Sequence, residues 1–169
     1  MASRDERPHG PISGRGFEQG DHVCVAYRTA DEQLSIAVHF IAEGLRRDEQ
    51  CLHAAATPAA LAASRDARRA REGLDAGAAE RAGRLLLLTK ERAHLHGGRF
   101  DAERMLGMLN EQVEAALNAG FIGLRTCGDM SWLLDDAPGA DQVVEYEALL
   151  AQFFGTVRAT GMCQYDITR

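Results

Sequence analysis

Gly20-Asp21-His22-Val23-Cys24-Val25-Ala26-Tyr27 reads as a buried β-strand that runs into a helix with no phosphate loop between them. Side chains two apart on a strand share a face, so His22 and Cys24 point the same way. The following segment carries Leu34, Ala37, Val38, Ile41, Ala42 and Leu45 at helical spacing, with Thr29 or Asp31 as cap. Cys51-Leu52-His53-Ala54-Ala55 is a second strand and repeats the Cys/His pair in reverse order. Thr57-Pro58 then supplies an N-cap and a first-turn proline for another helix.

The same alternation continues to the end of the chain. Arg84-Leu85-Leu86-Leu87-Leu88 is wholly apolar after its first residue, as expected of a strand covered by helices on both faces. His94 to Arg99 forms a polar loop. A long helix over Asp101–Ala119 shows Met105, Leu109 and Val113 on one side and stops at Gly120. Ile122–Thr126 is a fourth strand, with Gly128-Asp129-Met130-Ser131-Trp132 as the crest after it. Gln142–Thr160 is a further helix and Met162–Tyr165 a fifth strand. Strands alternating with helices predict an α/β three-layer sandwich, a mostly parallel, Rossmann-like sheet of about five strands. Ligands in such sheets bind at the carboxyl ends of the strands. Those ends hold Tyr27-Arg28, Ala55-Ala56, Thr89-Lys90, Cys127-Gly128-Asp129 and Tyr165-Asp166.

A chain of 169 residues suffices for one domain with a real core, here expected over 17–169 behind a disordered leader at 1–16. The net charge of −6 and a single lysine, Lys90, argue against a nucleic-acid surface. No stretch approaches the roughly 18 apolar residues of a membrane span, and the N-terminus lacks a secretory pattern. A cytoplasmic location is therefore expected, with the four cysteines as reduced thiols.

Several separated stretches, taken in order, resemble the MEDS domain, the methanogen/methylotroph sensory domain. They are Gly20–Thr29, Phe40–Cys51, Gly123–Trp132, Glu145-Tyr146-Glu147 and Cys163-Gln164-Tyr165-Asp166. The resemblance implies a RecA/KaiC-like sheet and sensing of small molecules, proposed to be simple hydrocarbon derivatives. It also implies bacterial or archaeal signalling. Family members continue past the Cys-Gln-Tyr-Asp strand into a further helix, whereas this sequence ends at Arg169, as a shortened chain or a single-domain member would.

A phosphate loop needs glycines and a Lys-Ser/Thr pair. Ala26-Tyr27-Arg28-Thr29-Ala30-Asp31-Glu32 has neither, and its two acids would repel a triphosphate. Nothing resembles a Ser-His-Asp set or a cysteine nucleophile with a defined base, so no enzyme is expected. His22, Cys24, Cys51 and His53 are the candidate ligands for zinc or iron, with core packing as the plain alternative. Arg125 lies inside an apolar strand and needs a partner, for which Asp129, Asp166 and Glu147 are candidates. Trp132, Tyr27 and Tyr165 either cap the core or wall an apolar pocket. Glu145 and Glu147 diverge on their helix, with one expected in solvent.

These readings predict a sensory domain that binds a small molecule, either hydrocarbon-derived or one-carbon, and modulates a partner regulator. The expected ligand site is His22, Cys24, Tyr27, Arg28, Arg125, Asp129, Trp132, Cys163, Tyr165 and Asp166, with no cofactor. The downstream partner would be a kinase, an anti-sigma factor or a transcription regulator, with a homodimer as an option and no nucleic acid or membrane. The alternatives are a metal- or redox-responsive Cys/His switch and a ligand-free interaction module.

Overall fold

The computed structural model describes residues 16–168; the expected leader, Gly16 apart, lies outside the described residues. β2 (Gln50–Ala55) is buried at every position. It lies between β3 (Leu85–Thr89) and β4 (Leu124–Asp129). β5 (Ala159–Asp166) and β1 (His22–Tyr27) extend the sheet on the other side. The order is β1-β5-β4-β2-β3, and every pairing is parallel.

Helices α1 (Ala30–Arg46), α2 (Pro58–Glu72) and α3 (Ala76–Arg81) lie on one face. Phe40 and Ile41 of α1 pack there on Cys51, Cys127 and Met162. Helices α4 (Ala102–Asn118) and α5 (Val143–Phe154) cover the other. Met105, Leu109, Tyr146, Leu150 and Phe154 meet Leu124, Ala159 and Cys163 in that layer. The result is the α/β three-layer sandwich that the alternation predicts.

Local sequence explains the helix starts. Thr29 caps α1 by accepting from the Glu32 amide, and the Glu32 carboxylate accepts from the Arg28 amide at 2.8 Å. This is close to a reciprocal capping box. Thr57 and Asp101 cap α2 and α4 in the same way. Asp75 does so for α3, a short helix that the apolar periodicity did not reveal.

Three boundaries differ from the sequence reading. β4 begins at Leu124 and runs to Asp129, because its register matches Asp129 to Gln164 of β5; the crest therefore starts at Met130. α5 ends at Phe154, short of the expected Thr160. Ala159, Thr160 and Gly161 are instead needed to pair with Leu124, Arg125 and Thr126. β1 is an edge strand and only partly buried, with Cys24 exposed.

Candidate functional site

A cavity of about 120 Å³ lies between α1, α2 and the end of β2. Its walls are Ala30, Gln33, Leu34 and Ala37 of α1, Ala60 and Ala63 of α2, and His53 and Ala55 of β2. Alanines on two facing helices leave the space that larger side chains would fill. The wall is apolar except for Gln33 and His53, the pattern of a small-molecule site. An apolar cavity near 150 Å³ takes benzene, so this one suits a molecule of a few heavy atoms.

His53 is held in one state. Its Nδ1 lies 2.9 Å from Arg68 Nη2 and 3.2 Å from Ser64 Oγ. Arg68 can only donate, so Nδ1 accepts and the ring proton sits on Nε2. Burial, reinforced by the Arg68 charge, pushes the His53 pKa down to about 3. The imidazole is neutral at physiological pH and has one N–H to offer. Burial also lowers the Arg68 guanidinium to about 10, which leaves it charged. Sequence reasoning cast His53 as a candidate metal ligand or a core-packing residue and did not find the cavity. The signal was the alanine spacing on α1 and α2, which reads equally well as close helix packing.

The other predicted residues fall into separate groups. Tyr27 and Asp129 meet at the carboxyl edge on the α1 side, where the Tyr27 hydroxyl donates to Asp129 Oδ1 at 3.4 Å. The same oxygen accepts the Ser131 amide at 2.9 Å and so fixes the start of the crest. Burial and the charges of Asp129 and Asp166 raise the Tyr27 phenol. Asp166 pairs in register with Tyr27, and its Oδ1 accepts the Thr168 amide at 2.8 Å. The Arg28 side chain is exposed and does not line the cavity.

His22, Cys24, Cys163 and Tyr165 converge on the opposite face. Cys24 and Cys163 are register partners on β1 and β5. Glu147 of α5 completes the group: His22 Nε2 is 3.3 Å and Cys24 Sγ 3.1 Å from its Oε2, and Tyr165 donates to its Oε1. Partial burial against α5, then the hydrogen bond and charge of Glu147, push the Cys24 thiol up to about 12. Burial lowers His22, with Glu147 opposing. Glu145 is exposed and Glu147 partly buried, so the two carboxylates do diverge. Cys51 and His53 are not part of this group: β5 and β4 stand between β1 and β2, and the pair faces α1 and α2. The four-residue set of His22, Cys24, Cys51 and His53 is not assembled.

Arg125 sits at the amino end of β4, far from the crest. It is fully buried and its Nε donates to Glu49 Oε2 at 2.5 Å, with Glu43 at 3.6 Å and the Phe40 ring 4.7 Å away. The expected partners Asp129, Asp166 and Glu147 are replaced by Glu49 because Cys51 pairs with Arg125, which sets Glu49 beside its base. Trp132 is fully buried, stacked on His94 at 5.6 Å and against Phe100 at 4.8 Å. It does not line the cavity, and its Nε1 has no partner among the described residues.

No curated protein matches the chain. Among solved structures, a KaiC-like protein from the hyperthermophilic archaeon Pyrococcus horikoshii superposes with a TM-score of 0.60 at 16% identity. The match covers 89% of this chain and 63% of that one, less than two thirds of its length. At that identity the likeness speaks for the fold, a KaiC-like sheet. No helix among the described residues is long and apolar enough to cross a membrane. A family profile described as the methanogen/methylotroph, DcmR sensory domain matches residues 21–169, and the chain belongs to that MEDS family of sensory domains.

Proposed function

We propose that this sensory domain binds a small, largely apolar molecule in the cavity between α1, α2 and β2, and does so without catalysis. The cavity itself carries the reading: about 120 Å³, alanine-lined, with two polar groups to orient a guest. A one-carbon or short-chain compound bearing one acceptor fits, with His53 Nε2–H as its donor.

A route from cavity to crest is built into the backbone. The Gln164 side-chain amide donates to the Gln33 carbonyl at 3.0 Å, and the Gln164 carbonyl accepts the Met130 amide at 2.9 Å. A guest that shifts the first turn of α1 would bias Gln164 and the loop after β4, altering the edge offered to a partner regulator. The partner itself is a downstream signalling protein.

A thermal-shift screen of one-carbon and short-chain alcohols, halides and sulfides tests this. A ligand at a hundredfold excess over its Kd stabilises by about 2.7 kcal/mol, or roughly 5–10 °C in Tm for a domain of this size. The shift should vanish in Ala63→Leu, which fills the cavity. Shifts of equal size in Ala63→Leu would place binding elsewhere.

A further inference from the structure

We propose that His22, Cys24 and Glu147 form a three-residue binding site for a divalent cation of the zinc class, with the fourth position open. The site lies on the face opposite the cavity and does not depend on the small-ligand reading.

One ligand atom each from His22, Cys24 and Glu147 lies within 4.8 Å of the other two. The finer distances match what a tetrahedral ion requires. Zinc ligand lengths near 2.0–2.3 Å set donor-to-donor spacings of about 3.4 Å for N to O and about 3.6 Å for S to O or S to N. The structure has 3.3 Å from His22 Nε2 to Glu147 Oε2 and 3.1 Å from Cys24 Sγ to the same oxygen. Cys163 Sγ is 3.7 Å from His22 Nε2. The two spacings to Glu147 agree within about 0.5 Å, and Cys163 lies beside the three donors rather than among them.

The donor chemistry selects the ion. One imidazole, one sulfur and one carboxylate suit zinc and similar borderline-soft metals, and disfavour magnesium or calcium, which take oxygen. The supports around the donors are also present. Tyr165 O–H holds the far oxygen of Glu147, and the His22 ring stacks on Phe154 at 5.4 Å and 11°. Such neighbours orient metal ligands. Cys24, exposed on the edge strand, gives an entry path. As hydrogen bonding alone, the arrangement is poor, because thiols are weak donors to a carboxylate. A bound ion would clip α5 to β1 and so set how firmly that helix is held.

The test uses chelator-stripped full chain titrated with Co²⁺, read by absorption, followed by displacement with Zn²⁺. The expected result is one ion per chain with tetrahedral visible bands and a thiolate-to-cobalt band in the near ultraviolet. Cys24→Ser, exposed and so expected to fold by circular dichroism, should weaken that band and the affinity. Tyr165→Phe should lower affinity about 10–100-fold, as loss of an orienting partner does. Absence of uptake at equimolar cobalt would overturn the proposal. So would a thiolate band unchanged in Cys24→Ser, which would put the metal on thiols other than Cys24.

Discussion

Trp132 and Arg125 show how one residue type in one context supports two roles until its neighbours are known. Arg125 lies within β4 and Trp132 just past its end, and neither the guanidinium nor the indole lines the cavity. Trp132→Ala removes a fully buried ring packed on His94 and Phe100, at an expected cost of about 3–5 kcal/mol by chemical denaturation. A loss below about 1 kcal/mol would show the ring to be loosely held. Glu49→Gln strands the buried Arg125 charge and should cost about 3–5 kcal/mol, with Glu49→Ala no milder. The need for a buried partner to Arg125 was legible in its strand context. The identity of that partner was not, because it depends on the β2–β4 register.

Among the elements, α5 and β5 were the hardest to separate. Val157 continues the apolar spacing of α5, yet the sheet recruits the residues just after it. Gly161 makes this possible. A Cβ there would come within 2.3 Å of the edge of the Phe154 ring, on which His22 stacks. Gly161→Ala should therefore destabilise the domain and displace Phe154, seen as changed His22 resonances by NMR. An unchanged His22 environment would mean the ring can swing aside freely. By contrast, the starts of α1, α2 and α4 were legible, since Thr29, Thr57 and Asp101 act locally and need no tertiary partner. The cavity was invisible at this scale: alanine is small whether its neighbour is close or absent.

For the molecule as a whole, three histidines make stability depend on pH. Burial holds His53 near 3 and His94 near 4 and lowers His22. Unfolding restores a value near 6.5. The unfolded chain thus binds protons that the folded one refuses, and stability present above pH 6.5 is lost as pH falls toward 4. The expected slope is up to about 1.4 kcal/mol per pH unit for each such histidine. Denaturation midpoints across pH 4–8 check this; a flat profile would mean these rings are solvated. Carboxylates such as Glu80, lowered by Arg65, add the same sign further down.

An amide NMR titration with the strongest compound from the screen decides whether the cavity between α1, α2 and β2 takes the sensed molecule. Saturable shifts are expected at Gln33, Ala37, His53, Ala55 and Ala60, extending through Gln164 to Met130, and none in Ala63→Leu. Shifts confined to Trp132 and Tyr165, or persisting unchanged in Ala63→Leu, would contradict binding in that cavity.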